Sequence, residues 1–354
     1  ASSSSSSGGR PNILLIVADD QGNGDIGYNT PDDQKFHTPH IDAIANNGIK
    51  LSRMYVASTC TPTRAAILTG RGVNSLGLHD GPFVPAEAGV VTHDFPFLPE
   101  LLKDEGYTTI GLGKWHLGFT HVADMPSSRG FDKYFGNLQG AGDFFLHEIG
   151  LFCNSQNPVN PDSLPASHGS NCYAVNGYDV MFNGEPVLED ETGTPYRGQY
   201  YTDILASKAT QYIDEHDPES PLFMYLAPTA PHAPLQATDE YLALCDHITT
   251  DNSRNVLCAM MAGVDNMVGQ VIAALETKGM LENTVIAYTS DNGGVRIFGS
   301  ENLYRNDKGS VFDGGVRAPA FISTPNLKSE LRGGAYDGLV FANDFFATLA
   351  RVAG

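Results

Sequence analysis

A cysteine at the start of a predicted helix has clear potential for chemistry in this chain. The segment Cys60-Thr-Pro-Thr-Arg64 runs on through small and aliphatic residues to Gly70, and Thr61 and Gly70 are residue types that cap helices. A helix N-terminus presents unpaired amides and a partial positive charge, so the surroundings of Cys60 are predicted to bind an anion. Arg64, one turn later, adds a planar cation that suits a tetrahedral oxyanion. The alternative is a buried cysteine that only fills space.

Two pairs of polar residues follow apolar runs of strand length and supply oxygen ligands. Asp19 and Asp20 come directly after the run 12–18. Asp291 and Asn292 follow the run 284–289 closely. Adjacent carboxylates repel each other unless a cation lies between them, and an all-oxygen set suits Ca²⁺ or Mg²⁺ and suits zinc poorly. The alternative for either pair is a helix cap in a solvated turn.

Basic and imidazole side chains lie near other predicted strands: Lys114, His116, His232 and Lys308. A lone Lys or His in such a loop is usually a surface residue. However, the carboxyl ends of parallel strands meet at one edge of a sheet, which is where open α/β sheets bind ligands. The convergence of polar residues from several strands, rather than any single motif, therefore predicts an active site.

Strand-like and helix-like segments alternate along the chain and predict a single α/β domain over residues 10–354. This alternation indicates a mainly parallel central sheet flanked by helices on both faces. Residues 1–9 are a Ser-rich, low-complexity tail that is predicted to be disordered, and no signal peptide is expected. Residues 143–198, rich in Asn, Pro and Gly, are predicted to be an irregular insertion. A long helix is predicted over residues 254–278, with Asp265 on its polar face.

Charge and apolar content exclude several functional classes. The 21 basic and 41 acidic residues give a net charge of -20, which argues against nucleic acid and against long-range capture of polyanions. A small anionic substrate is compatible with this net charge. Salt screens charges that are more than about 8 Å away, so the cations near a binding site determine whether an anion binds there. No stretch reaches the roughly 18 uncharged apolar residues that a membrane span needs.

The odd number of cysteines leaves one without an intramolecular partner. If Cys60 is the reactive member of the five, the others can pair locally as Cys153 with Cys172 and Cys245 with Cys258. Such bridges would indicate a secreted protein or an oxidising compartment that is lysosome-like or periplasm-like. Four free thiols in a reducing compartment are the alternative.

The order of the motifs resembles that of the type I, formylglycine-dependent sulfatases over residues 11–354. Among them the chain is most similar to the arylsulfatase B (N-acetylgalactosamine-4-sulfatase) branch. The resemblance implies an alkaline-phosphatase-like fold and an enzyme that cleaves a sulfate ester of an alcohol, a phenol or a sulfated sugar. It rests on these segments: Cys60-Thr-Pro-Thr-Arg64, Gly113-Lys-Trp-His-Leu-Gly118, Arg129-Gly-Phe-Asp-Lys-Tyr-Phe-Gly136, Pro231-His-Ala-Pro-Leu-Gln236 and Ser290-Asp-Asn-Gly-Gly294.

The resemblance also implies roles for individual residues. A formylglycine-generating enzyme would oxidise Cys60 to an aldehyde whose hydrate is the nucleophile, and Arg64 would steady that hydrate. The other implied roles are these: Asp19, Asp20, Asp291 and Asn292, with residue 60, as ligands of Ca²⁺ or alternatively Mg²⁺; Lys114, His232 and Lys308 as sulfate-binding groups; His116 as a contact of the hydrate; and Asp291 as a proton acceptor.

Two departures from the family pattern bear on function. The loop 81–95 lacks the cysteines of the arylsulfatase B branch, which leaves its substrate contacts open. The smaller C-terminal subdomain that relatives carry is expected to be absent. Two alternative functions follow: a phosphonate or phosphodiester hydrolase of the same superfamily, and a secreted sulfatase-like structural or binding protein without activity. The oligomeric state is left open.

Overall fold

The structure is a computed structural model that describes residues 9–30, 34–79, 81–85, 87–153, 158–159, 172–248, 251–300 and 303–354, with the backbone alone at 150–153, 158–159 and 172–176. The strands, in chain order, are β1 Asn12–Ala18, β2 Ile49–Leu51, β3 Met54–Tyr55, β4 Thr108–Lys114, β5 Lys133–Asn137, β6 Glu148–Cys153, β7 Pro158–Val159, β8 Cys172–Tyr178, β9 Met181–Phe182, β10 Glu185–Pro186, β11 Leu222–Ala227, β12 Thr284–Ser290, β13 Ala320–Ser323, β14 Ala335–Tyr336 and β15 Val340–Phe341. The helices are α1 Pro39–Asn47, α2 Cys60–Thr69, α3 Leu98–Asp104, α4 Tyr201–Glu215, α5 Asp239–Leu244, α6 Asn252–Thr277, α7 Asp313–Val316 and α8 Asp344–Ala353.

A large central sheet organises the described residues, with the strand order β10-β9-β5-β4-β11-β1-β12-β13-β2-β14. Strands β5, β4, β11, β1 and β12 run parallel to one another, and β13 is antiparallel to β12. Strand β1 lies at the middle, where Leu14 pairs with Met224 on one side and with Ile286 on the other. Parallel strands buried on both faces have continuous apolar runs, so the prediction of a mainly parallel sheet is confirmed.

Helices cover both faces of this sheet, which confirms the second part of the prediction. The side chains of β1 alternate between the faces because a strand has a period of two residues. Leu14 and Ile16 pack into a core that includes residues of α1, α4, α5 and α6. Ile13 and Leu15 pack into a second core that includes residues of α2, α3 and α8. The sheet is therefore held between two cores and provides a rigid base for the loops at its edge.

Helix α6 lies in the first of these cores and packs against α1, α4 and α5. By length and composition it is the single helix in the described part of the chain that could cross a membrane, but 67% of its most apolar window is buried in the protein, as in a core helix. The interpretation of Asp265 as a polar-face residue is wrong, because its side chain is buried. Its carboxylate accepts the backbone N–H groups of His40 at 3.2 Å and Ile41 at 2.8 Å. Asp265 therefore caps the first turn of α1 from another helix.

The segment 143–198, predicted to be irregular, contains strands in its described part. Strand β6 pairs antiparallel with β7 and β8 in a small separate sheet, and β9 extends the central sheet beside β5. The predicted disulfide between Cys245 and Cys258 is present and joins the end of α5 to α6. The predicted bridge between Cys153 and Cys172 concerns side chains outside the described residues and stays a prediction.

Four adjacent parallel strands end at the same edge of the sheet, and this edge carries the candidate site. Strand β1 leads into Asp19, and β12 leads into Asp291. Strand β11 leads into the loop that carries His232. Strand β4 ends at Lys114, so this lysine is the last residue of the strand. The sheet therefore delivers these side chains to one place, as open α/β sheets do.

Candidate active site

Cys60 is the first residue of helix α2. The backbone before it is extended, and Gly70 ends the helix with a φ of 67°, a left-handed conformation that glycine adopts without strain. The prediction that Thr61 caps this helix is wrong. Its hydroxyl donates to the carbonyl oxygen of His116 at 2.9 Å and accepts the backbone N–H of Phe83 at 3.2 Å. Thr61 therefore ties the start of α2 to two loops of the site.

Buried acidic residues surround the Cys60 thiol. One ligand atom from each of Asp19, Asp20, Cys60 and Asp291 lies within 4.8 Å of the others, and Cys60 Sγ is 3.7 Å from Asp19 Oδ1. The backbone N–H of Asp20 donates to Asp291 Oδ1 at 3.2 Å. Asp20 has a φ of 61°, a strained conformation that is kept where the surroundings enforce it. The acidic turns after β1 and β12 therefore meet beside residue 60.

Two lysines from distant parts of the chain pair with these acids. Lys114 Nζ lies 2.7 Å from Asp19 Oδ2, and both side chains are fully buried. Lys308 Nζ lies 2.6 Å from Asp20 Oδ1, and the lysine side chain is 14% exposed. Buried charges are tolerated when they are paired in this way. The Lys308 ammonium thus remains open to the solvent side of the cluster, whereas the Lys114 ammonium is closed off.

Arg64 holds the third carboxylate from inside the protein. Its Nε donates to Asp291 Oδ2 at 2.9 Å, and Nη2 lies 2.8 Å from the same oxygen. Nη1 donates to the carbonyl oxygen of Lys114 and to the hydroxyl of Tyr225, both at 3.3 Å. The guanidinium is fully buried, so its planar fork fixes the orientation of Asp291 relative to β4 and β11.

The charges and the burial shift the pKa values of the cluster in different directions. Burial and the neighbouring Asp291 raise the pKa of Asp19 well above its usual value. Burial opposes ionisation of Asp20, but the Lys308 ammonium holds the pKa of this carboxyl below its usual range. Burial and Asp291 raise the pKa of the Cys60 thiol to about 12. Since the thiolate is the reactive form of cysteine, unmodified Cys60 is a poor nucleophile at neutral pH.

Asn292 supplies a test of whether this cluster fits a metal ion. Its Nδ2 donates to Asp20 Oδ1 at 2.8 Å, while its Oδ1 is buried and has no hydrogen-bond partner among the described residues. A buried oxygen without a partner costs free energy, and a cation beside it would remove that cost. Oxygen donors from Asp19, Asp20, Asp291 and Asn292 match the preference of a hard divalent cation. The acidic cluster could therefore hold a metal ion.

His232 approaches the cluster from the loop after β11. Its Nε2 lies 3.5 Å from Asp20 Oδ2, and its Nδ1 lies 2.6 Å from the carbonyl oxygen of Ala233. Burial lowers the pKa of His232 to about 4, although the Asp20 carboxylate opposes this shift. The imidazole is therefore neutral at pH 7 in the protein as described.

His116 lies two residues after the end of β4 and is held in a left-handed conformation with a φ of 56°. Its Nε2 lies 2.8 Å from the carbonyl oxygen of Phe83, and its Nδ1 has no hydrogen-bond partner in the described part of the chain. Burial and the Lys114 charge lower the pKa of His116 well below its usual value. A neutral ring that donates from Nε2 keeps a lone pair on Nδ1, so this ring is able to accept a proton.

A cavity of about 270 Å³ gives access to the cluster. The polar groups that line it include Asp20, Cys60, His116, His232 and Lys308. Its apolar wall includes Phe83, Val84, Val295 and Phe298. The loop 81–95, whose contacts the sequence left open, supplies the first two of these wall residues. The sequence reasoning missed the last two, because they follow Gly294 in an irregular segment with no periodicity to mark them.

The structure brings together every site residue that the sequence predicts. The residues that meet around the thiol or line the cavity are Asp19, Asp20, Cys60, Arg64, Lys114, His116, His232, Asp291, Asn292 and Lys308. The arrangement combines a helix N-terminus, a cluster of oxygen donors and several fixed cations, which suits the binding of a tetrahedral anion. The role of each residue stays a prediction.

Known proteins resemble this chain in both sequence and structure. A family model described as Sulfatase matches residues 11–354. Arylsulfatase J of Mus musculus is 35% identical over 97% of this chain and 52% of its own length. Arylsulfatase A of Homo sapiens is 30% identical over 97% of this chain and 64% of its own length. The crystal structure of Ps i-CgsB in complex with k-i-k-neocarrahexaose has a TM-score of 0.83 at 34% identity, covering 98% of this chain and 72% of that one.

The family match extends over nearly the whole sequence, whereas the chain spans about half the length of the first of these relatives. The arylsulfatases among the relatives agree with the motifs, although the narrower resemblance to the arylsulfatase B branch stays a prediction. The sheet order, the cysteine-bearing helix and the buried acidic cluster also agree with the family's formylglycine-dependent chemistry and its metal site. The chain therefore belongs to the sulfatase family.

Proposed function

We propose that this protein hydrolyses sulfate esters through a formylglycine made from Cys60. The position of Cys60 carries the proposal: it begins a helix, lies 3.7 Å from Asp19 and lines a cavity that also contains Lys308 and His232. The thiol itself has a pKa raised to about 12 by burial, which makes it a poor nucleophile. The reactive form of residue 60 is therefore the oxidised one.

Formylglycine, when formed by a formylglycine-generating enzyme, supplies a hydrated aldehyde with two hydroxyl groups on one carbon. One of these hydroxyls would form a bond to the sulfur of the substrate as the sulfur–oxygen bond to the alcohol breaks, and Asp291, held by Arg64, would accept the hydroxyl proton. His116 then takes the proton of the second hydroxyl, so that the C=O bond forms again and sulfate leaves. The Nδ1 atom of His116, which has no hydrogen-bond partner among the described residues, supports this assignment.

The cationic and imidazole side chains bind the substrate and handle the leaving group. Lys308 and His232 line the cavity and bind the sulfate oxygens, while the fully buried Lys114 ammonium acts from behind Asp19 as a fixed positive charge. Fixed charges in such a buried site stabilise the transition state strongly. Lys308 gives a proton to the departing alcohol; His232 is the alternative donor only in its protonated form, because burial leaves its ring neutral at pH 7 in the protein as described. Both side chains reach Asp20 and line the cavity, which supports either assignment.

We assign the metal site to Ca²⁺, held by Asp19, Asp20, Asp291 and Asn292 beside residue 60. When bound, the ion offsets the negative charge of the sulfate group. The unpartnered Asn292 Oδ1 and the all-oxygen donor set support a hard cation. Mg²⁺ is the alternative, although it prefers sites where it keeps several waters.

The substrate is a sulfated saccharide or a small aryl or alkyl sulfate. Support for a saccharide comes from Ps i-CgsB, which is similar to this chain and was solved with k-i-k-neocarrahexaose. The disulfide between Cys245 and Cys258 supports a secreted protein or an oxidising compartment such as the lysosome. The net charge of -20 supports the absence of nucleic-acid partners.

The variant Cys60→Ser tests the proposal when it is expressed where serine is not oxidised. Serine has one hydroxyl on its β carbon, so it can attack sulfur but cannot form a carbonyl that expels sulfate. With p-nitrophenyl sulfate we expect at most one turnover per molecule and a sulfate that remains on residue 60, read by nitrophenol release and peptide mass spectrometry. Sustained turnover at the parent's rate would overturn the formylglycine assignment.

A comparison of two substrates tests the reaction class. The parent protein should cleave p-nitrophenyl sulfate faster than bis(p-nitrophenyl) phosphate, at equal concentration and with Ca²⁺ present. Faster cleavage of the phosphodiester would instead assign the protein to the phosphodiester hydrolases.

A further inference from the structure

The turn 138–140 supports His116 in two ways. The backbone N–H of His116 donates to the carbonyl oxygen of Leu138 at 3.1 Å. The imidazole ring lies against Gly140, where an added Cβ would be 2.4 Å from Cε1 of the ring. His116 has a φ of 56°, and a non-glycine residue keeps such a conformation only when its surroundings enforce it. The turn is therefore the support that fixes the ring in the cavity.

Asp179 in turn fixes the turn, although it lies about forty positions farther along the chain. Its Oδ1 accepts the backbone N–H of Leu138 at 2.9 Å, and its Oδ2 accepts the backbone N–H of Gln139 at 2.9 Å. The carboxylate is only 7% exposed. It belongs to the connection between β8 and β9, within the insertion, and its own backbone N–H donates to the carbonyl oxygen of His147 at 2.9 Å. The insertion therefore holds, through the buried side chain of Asp179, the turn that supports His116.

We propose that Asp179 is a positioning residue for His116. Its two hydrogen bonds hold the turn whose carbonyl oxygen and glycine place the imidazole beside residue 60. The inference rests on the proposed function, in which His116 acts in the second half of the reaction. There the O–H bond of the remaining hydroxyl breaks and its proton goes to His116, the C=O bond forms, and the carbon–oxygen bond to sulfate breaks with its electron pair leaving on sulfate.

The variant Asp179→Asn tests this proposal by removing one of the two acceptors. An amide offers one oxygen, so it can satisfy the N–H of Leu138 or of Gln139 but not both. We expect kcat for p-nitrophenyl sulfate to fall by about 10–100-fold, the size of effect that a misplaced catalytic group produces. Because the first half of the reaction does not use His116, we also expect a burst of nitrophenol close to one per active site. A loss of folded protein would lower the burst and the steady rate together.

A double-mutant cycle shows whether Asp179 acts through His116. If it does, Asp179→Asn should cost little once His116→Ala has removed the imidazole, so the double variant should match His116→Ala within about twofold. The positioning role would be overturned if the losses in kcat of the two single variants multiplied in the double variant. It would also be overturned if Asp179→Asn kept the parent's kcat and showed no burst. If the parent itself does not hydrolyse p-nitrophenyl sulfate, the proposed function fails instead.

Two further variants guard against effects on folding. Asp265→Asn is a matched control, because Asp265 is also a buried carboxylate that accepts two backbone N–H groups, and its activity per folded molecule should equal the parent's. Gly140→Ala perturbs the same ring from the other side and should also produce a burst followed by slow turnover. If Asp179→Asn does not fold, the Gly140→Ala result decides the question, and parent-like turnover there would overturn the proposal.

Discussion

Two sets of buried carboxylates in this protein are neutralised by different means. Around residue 60, carboxylates are paired with side-chain cations that come from other strands and loops, as Asp291 is with Arg64. Elsewhere, Asp179 and Asp265 each accept two backbone N–H groups. Burial raises the pKa of Asp179 to about 6 and that of Asp265 to about 7. In the first set, Lys308 and Arg64 hold the pKa values of Asp20 and Asp291 below their usual range, whereas burial raises the pKa of Asp19. The second set has no cation to lower its pKa values and is close to losing its charges at neutral pH.

The difference shows what the site requires. A carboxylate held by amides can organise a turn or a helix end, but it does not leave a charge for chemistry. At the site, the acids Asp19, Asp20 and Asp291 face the cations Arg64, Lys114 and Lys308. Even with all three acids ionised these charges balance, so a bound divalent cation would make the cluster positive and able to attract an anion. The metal ion and the sulfate group are therefore expected to bind cooperatively.

The largest expected effect follows from removing Arg64. The variant Arg64→Ala leaves Asp291 buried with a weaker partner, the Lys114 ammonium at 4.0 Å. Breaking a buried ion pair in this way typically costs about 3–5 kcal/mol. Urea unfolding should report a loss of that size in the free energy of unfolding. Arg10→Ala is the control, since Arg10 pairs with Glu105 at the surface, and its loss should stay below about 1 kcal/mol. Equal losses in the two variants would contradict the comparison.

Removal of the metal ion should have the next largest effect. Without the cation, the adjacent acids repel each other and Asn292 Oδ1 stays unpartnered, so a chelator should lower the melting temperature. Readdition of Ca²⁺ at about one hundred times its Kd should restore about 2.7 kcal/mol. Differential scanning calorimetry across a Ca²⁺ titration measures this. In the variant Asn292→Ala the same titration should give a smaller rise, and an unchanged melting temperature in both proteins would contradict the metal assignment.

The sequence predicts the charged set of carboxylates better than the amide-bound set. Asp19 and Asp291 directly follow apolar runs, so the parallel-sheet rule is enough to place them at one edge. Asp179 and Asp265 have no such signal, because their partners are backbone N–H groups of distant segments. A backbone donor is the same at every residue except proline, and therefore leaves no trace in the sequence. The apolar wall at Phe298 could not be predicted either, because this residue lies in a short irregular segment with no periodicity.

The fold could be predicted wherever apolar runs or the helical spacing of apolar residues mark a strand or a helix. The strands β1 and β12 and the helix α6 appear close to their predicted positions, because long apolar runs and helical spacing mark them. The strands β6 to β10 were missed because they lie in a segment rich in turn residues, and β7, β9 and β10 have only two residues each. The predicted disordered tail at 1–9 falls almost entirely outside the described residues and stays a prediction.

The amide-bound set should respond to pH in a way that can be measured at Asp265. Burial raises its pKa to about 7, and the Asp42 charge adds to this, while the N–H groups of Ile41 and His40 oppose it. A carboxyl whose pKa is higher in the folded state than in the unfolded state loses its stabilising contribution as the pH rises. Between pH 5 and pH 8 the stability of the parent relative to Asp265→Asn should therefore fall by about 2 kcal/mol.

Paired urea titrations at these two pH values provide the measurement. The variant removes the titrating group, so all other groups cancel in the difference between the two proteins. A stability difference that is constant over this range would show that the two N–H groups of α1 keep Asp265 charged, and the contrast between the two sets of carboxylates would then be wrong.

The smallest effect is expected at the apolar wall, which contains neither of the two sets of carboxylates. Phe298 lines the cavity, whereas its neighbour Ile297 is 65% exposed. Removing the ring should cost the substrate contact area but should not disturb residue 60. Partial loss of an aromatic contact is worth about 1 kcal/mol, so Phe298→Ala should raise KM for p-nitrophenyl sulfate roughly fivefold, with kcat within about twofold of the parent. Ile297→Ala should change neither constant. If Phe298→Ala instead lowered kcat and left KM unchanged, the apolar wall would influence the charged cluster around residue 60. The wall and the cluster would then not be independent parts of the site.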